Sequence, residues 1–184
     1  MNVIAEATIE ADPKVPAIRI TRDFKATPAQ VLRAHTDPDL YAQWVGPDDL
    51  TTKIDYWDAR TGGSWRFVQE RDGAEFGFHG CFHQVSDGRI VQTFTFEGQP
   101  DDVALETMVL EDLGDGRTRM HATSLCDSFE TREAWLKSGM ETGVHEGYAK
   151  LDRLLAGNAA GNNAGNAAGN NAGNAAGNDA GNAV

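Results

Sequence analysis

The chain has 184 residues, with 28 acidic against 16 basic side chains and a formal net charge of −12. That length suits one domain with an appendage, and the acidic balance excludes a nucleic-acid surface or an anionic membrane surface, both of which need clustered Lys and Arg. No apolar run approaches the roughly 18–20 residues of a membrane span, the N-terminus lacks the pattern of a secretory signal, and Cys81 and Cys126 are the only cysteines.

These features point to a cytoplasmic protein without a disulfide framework, whose first predicted element is a strand. Ala17–Phe24 (AIRITRDF) alternates apolar and charged residues, as a half-buried strand does. Thr27-Pro28-Ala29-Gln30 then combines a cap, a first-turn proline and the far half of a capping box. A second start, Asp37-Pro38, follows, carrying Leu40, Tyr41 and Trp44 before Gly46-Pro47 stops it. Two short helices are therefore expected after the first strand. Six strand patterns come next, at 51–60, 64–69, 75–85, 89–97, 103–113 and 117–126. Turn dipeptides such as Asp72-Gly73, Asp87-Gly88 and Asp115-Gly116 separate them, which describes an antiparallel meander.

Asp127 or Ser128 is placed to cap one final long helix, with Leu136, Met140, Val144, Leu151 and Leu155 at helical spacing. Gly139, Gly143 and Gly147 form a four-residue stripe along it, each costing about 1 kcal/mol relative to alanine in a helix interior. Either another backbone lies on that stripe or the missing side chains leave room for a bound molecule. From Ala156 the chain repeats AGNAAGNN in an alphabet of Ala, Gly and Asn that cannot bury enough apolar surface to order itself. The division expected is a folded domain at 1–155 and a disordered repeat tail at 156–184.

A meander with one apolar face must pack that face on the helix. The class predicted is α+β, with a seven-stranded sheet curled around a long C-terminal helix. A curled sheet and a straight rod leave a cavity between them. Strand alternation puts Trp65 with Phe67 on the inner face, likewise Phe76, Phe78 and Phe82, Ile90, Phe94 and Phe96, Met108 with Leu110, and Met120 with Ala122. The candidate ligand-binding residues are Trp44, Trp65, Phe67, Phe78, Phe94, Met108, Met120, Met140, Gly143, Val144 and Tyr148, with Trp44 and Trp65 first among them. An aromatic- and Met-rich interior suits a pocket, and it also suits plain core filling.

Other chemistry is sparse. His79, Cys81 and His83 share a strand face, but same-face neighbours stand about 6.5–7 Å apart, too far for one metal to reach all three. Neither a metal nor a cofactor is expected. Asp58 and Arg60 suit a same-face ion pair or a substrate anchor. His35, Arg66, Glu106 and Tyr148 are acid/base candidates, none singled out by spacing.

The segments TDPDLYAQWVGP, DARTGGSWRF, FHGCF, LGDGRTRM and SGMETGVHEGYAKLDRLL resemble the SRPBCC superfamily, within it the activator of heat-shock protein 90 ATPase homologue-like and polyketide cyclase-like group. The resemblance implies the helix-grip (START, Bet v 1-like) fold. It implies three functions: binding of an apolar or aromatic, lipid- or polyketide-like molecule, cyclase, aromatase or hydrolase chemistry in the same cavity, or a chaperone-associated interaction domain in stress response. Binding is the first reading, a carrier rather than an enzyme, with a hydrophobic small molecule as partner. A chaperone or a second copy of the chain is the alternative partner.

Overall fold

The computed structural model describes residues 6–170. The chain opens with β1 (Thr8–Ala11) and β2 (Ala17–Phe24), followed by α1 (Pro28–Thr36) and α2 (Pro38–Trp44). A meander follows: β3 (Thr51–Trp57), β4 (Ser64–Arg71), β5 (Ala74–Ser86), β6 (Arg89–Phe96), β7 (Val103–Gly114) and β8 (Arg117–Leu125). Two helices end the described part, α3 (Phe129–Lys137) and α4 (Met140–Asn170). All strands pair antiparallel in the order β1-β2-β8-β7-β6-β5-β4-β3. The helices α1 and α2 thus carry the chain from one side of the sheet to its far edge, and the meander returns strand by strand to β2. This is the curled sheet and C-terminal helix of the helix-grip class.

The local signals act as chemistry requires. Thr27 accepts the Gln30 N–H while the Gln30 side chain accepts the Thr27 N–H, a complete capping box on α1. Asp37 caps α2 through the N–H groups of Asp39 and Leu40. Among the described residues no helix is long and apolar enough to cross a membrane.

Three features differ from the expectation. The sheet has eight strands, not seven, because β1 adds a short edge to β2. Its turn is set by Asp12, whose carboxylate accepts the N–H groups of Lys14 and Val15 at 2.8 and 3.2 Å. Buried Arg132 of α3 donates to the Asp12 carbonyl at 2.6 Å, so tertiary contacts hold a strand too short to show in its own pattern. Second, the single long helix is two helices: α3 ends at Lys137, and Gly139 takes φ +87°, a left-handed conformation that breaks the hydrogen-bond ladder. The apolar spacing runs unbroken through that break, so periodicity alone conceals it. Third, α4 keeps a helical backbone through Asn170, beyond the expected end near Leu155. Alanine is the best helix former, and extending a packed helix avoids the cost of nucleation. The repeat positions 171–184 lie outside the described residues.

The core lies between sheet and α4, with Ile18, Phe24, Trp65, Phe67, Phe82, Met120 and Leu151 fully enclosed. The Arg22 guanidinium of β2 pairs with Asp152 of α4, and the Phe24 ring meets Tyr148 edge-on at 5.7 Å. Close approach is the role of Gly147. A Cβ there would stand 3.0 Å from the Trp44 carbonyl oxygen, where the end of α2 crosses α4. At Gly143 the nearest atom is Pro47 Cδ at 3.4 Å, an ordinary contact. Gly143→Ala should therefore raise stability by about 0.5–1 kcal/mol through helix propensity, whereas Gly147→Ala should gain nothing. Thermal melts of the two variants check this, and equal shifts would contradict the packing described.

Candidate functional site

A cavity of about 1240 Å³ lies between the inward face of the sheet and α4, with α2 along one side. Residues that line it and are also exposed mark its opening, among them Asp48 and Asp49, Arg71, Gly98 and Gln99, and Ser138, Gly139 and Thr142. They come from the α2–β3 loop, the β4–β5 hairpin, the β6–β7 loop and the α3–α4 break. At this rim Arg71 pairs with Asp49 at 2.8 Å, and Glu146 accepts the Asp48 N–H at 2.8 Å.

Ten of the eleven residues expected around a ligand line this space: Trp44, Phe67, Phe78, Phe94, Met108, Met120, Met140, Gly143, Val144 and Tyr148. Strand alternation places those on β4–β8, and the crossing of α2 over α4 brings Trp44 to within 6.0 Å of the Tyr148 ring. Trp65 does not line it. It is 1% exposed, stacked against its inner-face neighbour Phe67 at 5.4 Å between ring centroids, and it belongs to the packed core beside the wall. The wall also holds Tyr41, an apolar position of the second short helix, and Trp57 and Trp135, which the apolar patterns did not single out. Trp135 of α3 closes over Phe94 at 6.0 Å.

One cross-strand row of polar side chains lies in the wall. Gln92 on β6 stands opposite Glu106 on β7, and Glu106 stands opposite Ser124 on β8. Gln92 Nε2 donates to Glu106 Oε2 at 3.0 Å and Ser124 Oγ donates to Glu106 Oε1 at 3.0 Å. Behind them Trp65 Nε1 donates to Gln92 Oε1 at 3.1 Å, which fixes which end of the Gln92 amide faces the carboxylate. Trp65 thus acts on the site from its hidden side. Burial raises the Glu106 carboxyl above its ordinary pKa, against the pull of those two hydrogen bonds. Burial, with the Glu106 charge added to it, also raises the Tyr41 and Tyr148 hydroxyls. The same alternation that marks Ile90, Phe94 and Phe96 as inward marks Gln92, and the one that marks Met120 and Ala122 marks Ser124. Attention to apolar positions alone passes over both.

The other acid/base candidates divide. His35 lines the cavity; its Nδ1–H donates to the Val31 carbonyl at 2.8 Å, and its ring packs on Trp44 at 4.7 Å. Burial pushes its pKa down to about 4, so the imidazole is neutral at physiological pH. Arg66 faces outward, bound through two nitrogens to Glu97 at 2.7 and 2.8 Å and also to Asp55, so it cannot act in the cavity. His79 joins that outer cluster through Glu97 at 3.3 Å. Cys81 and His83 are exposed, and among the described residues no three His, Cys, Asp or Glu side chains gather as metal ligands do. Asp58 and Arg60 form an exposed pair at 2.9 Å, not among the residues that line the cavity.

The same fold recurs among solved structures. A Rhodobacter sphaeroides protein is 25% identical with a TM-score of 0.75, over 83% of this chain and 99% of that one. A protein from Arthrobacter aurescens is 24% identical with a TM-score of 0.74, over 81% of this chain and 91% of its own. The AHSA1 protein from Silicibacter pomeroyi is 18% identical with a TM-score of 0.60, over 76% and 97%. No curated protein matches the chain. The family model described as Activator of Hsp90 ATPase homolog 1-like protein matches residues 25–156, a span that runs from α1 into α4 and supplies nearly all of the cavity wall. On that match the chain belongs to the Activator of Hsp90 ATPase homolog 1-like family, within the SRPBCC superfamily that its motifs resemble.

Proposed function

We propose that this protein binds an apolar or aromatic small molecule in the cavity between its sheet and α4. The observation that carries this reading is the hollow itself. At about 1240 Å³ it exceeds the roughly 300–1,000 Å³ of ordinary ligand pockets, and aromatic and Met side chains dominate its wall. A chain that needed these residues only as filler would close on them, because interiors pack to crystal density.

Native mass spectrometry of the protein isolated from its own cells should show a retained species that denaturation releases. A blocking variant gives the complementary test. Ala122 lines the cavity between Met120 and Ser124, so Ala122→Trp pushes an indole into it from the sheet face. We expect it to weaken binding of the uncharged fluorescent probe N-phenyl-1-naphthylamine at least about tenfold, with an unchanged circular dichroism spectrum. Gly143→Leu is a poorer block, since a side chain there grows from the seam against Pro47 and is small beside the whole volume. Equal probe binding by wild type and Ala122→Trp would reject the cavity as the binding place.

A second reading, an enzyme of the cyclase or hydrolase kind, draws on one observation. Glu106 is a titratable group with a displaced pKa set into an apolar cavity, as acid/base catalysis requires. Conversion of an added ligand to a species of different mass would separate an enzyme from a carrier.

A further inference from the structure

The wall of the cavity is uneven in its polarity, and that unevenness selects among apolar ligands. Of the charged groups that line it, Asp48, Asp49, Arg71 and Glu146 belong to the rim, where Arg71 is tied to Asp49. Inside stands Glu106, and among the described residues no cation pairs with it. Its two oxygens each accept one hydrogen bond from a neutral donor of the sheet, Gln92 or Ser124. A carboxylate offers about four lone-pair positions, so about two stay free on the side that meets the hollow. His35, on α1 at the same cavity, keeps Nδ1–H for the Val31 carbonyl and presents an accepting Nε2. The wall around Glu106 therefore supplies no cation: the buried Arg22 of β2 is held by Asp152 and does not line the cavity.

We propose that the ligand is an apolar aromatic molecule that presents a hydrogen-bond donor, a hydroxyl or a protonated amine, to Glu106, and that carboxylate-bearing lipids are rejected. This rests on the binding function proposed above and names its ligand class. A fatty acid or aromatic acid would bring a second negative group against Glu106 with no cation to share it, whereas a donor completes lone pairs that the row leaves open. Trp65 contributes by holding Gln92 so that its NH₂, not its oxygen, meets the carboxylate; reversed, the amide oxygen would repel it.

The test is a matched set on one skeleton: naphthalene, 1-naphthalenemethanol, 1-naphthylmethylamine and 1-naphthoate, titrated by tryptophan fluorescence and by calorimetry. The alcohol or the amine, and the two arms identify which donor, should bind at least about tenfold more tightly than the carboxylate, as one well-made charge-assisted hydrogen bond allows. In Glu106→Gln that difference should shrink to about threefold or less. The wild-type order needs no variant, so a Glu106→Gln protein that misfolds does not remove the test. If naphthalene and its derivatives all bind with equal affinity, the cavity binds but this selectivity is wrong. If the carboxylate binds best, or the donor preference survives intact in folded Glu106→Gln, the assignment to Glu106 is overturned. If none of the four binds, the binding function itself fails and this inference with it.

Discussion

Between pH 6.5 and pH 4 the folded state should lose about 3 kcal/mol of stability through His35 alone. The ring is half-buried on the cavity wall against Trp44, and burial, only partly offset by the bond to the Val31 carbonyl, takes its pKa from an ordinary 6.5 down to about 4. The sign follows from proton counting. Above pH 6.5 the imidazole is neutral in both states and contributes nothing to the pH dependence. Below that, the unfolded chain takes up a proton that the folded chain refuses until pH falls to about 4, so unfolding gains steadily over the interval. Below pH 4 both states are protonated and the loss levels off. Glu106 and Asp152 act in the opposite sense, because burial raises their carboxyls and so favours the folded state as they protonate. The readout is therefore a difference. Urea unfolding of wild type and His35→Phe at intervals from pH 7 to pH 4 should show wild type losing about 3 kcal/mol relative to the variant toward acid, whatever their offset at neutrality. Parallel curves would mean that water reaches the ring and the site is more open than described.

That His35 lies in the wall at all was only half legible from the sequence. Its position one turn beyond Val31 puts it on the inner face of α1, but what it meets is set by α2, which folds back because Asp37-Pro38 ends one helix and caps the next. Signals of that local kind read directly: the Thr27–Gln30 box, the Asp-Gly turns and the inward alternation of β4 to β8. Signals that depend on a partner did not. The strand β1 is held by a turn carbonyl bonded to Arg132, and the break at Gly139 sits inside a seamless apolar repeat. Likewise the opening of the cavity is assembled from four connections far apart in the chain, which no short pattern predicts. The polar row was accessible in principle, since Gln92, Glu106 and Ser124 obey the same period-two rule as their apolar neighbours. Glu106 is among the acid/base candidates, but its partners Gln92 and Ser124 were missed because polar residues at inward positions read as exceptions, when in a binding wall they are the positions that carry selectivity.

The two tryptophans singled out by the sequence should separate sharply when truncated. Trp65→Ala should cost about 4–5 kcal/mol and Trp44→Ala about 3 kcal/mol, although both indoles are buried and both donate a hydrogen bond. Trp65 is 1% exposed, stacked on Phe67 at 5.4 Å and flanked by Phe94 at 5.5 Å and Trp57 at 5.9 Å. Removing it leaves a void inside a packed layer and takes the N–H donor from Gln92. Trp44 is 6% exposed and touches His35, Tyr41 and Tyr148, but it also faces the hollow. An indole with empty space on one side makes fewer dispersion contacts, so its loss extends an existing cavity instead of creating one. The bond from Trp44 Nε1 to the Ala34 carbonyl, at 2.9 Å, is lost in that variant, which sets a floor under its cost. Urea unfolding of the two single variants measures the difference directly. Were the sheet and α4 closed on each other in solution, Trp44 would be packed on all sides like Trp65. Its truncation would then cost as much, and equal losses would remove the hollow on which the binding function depends.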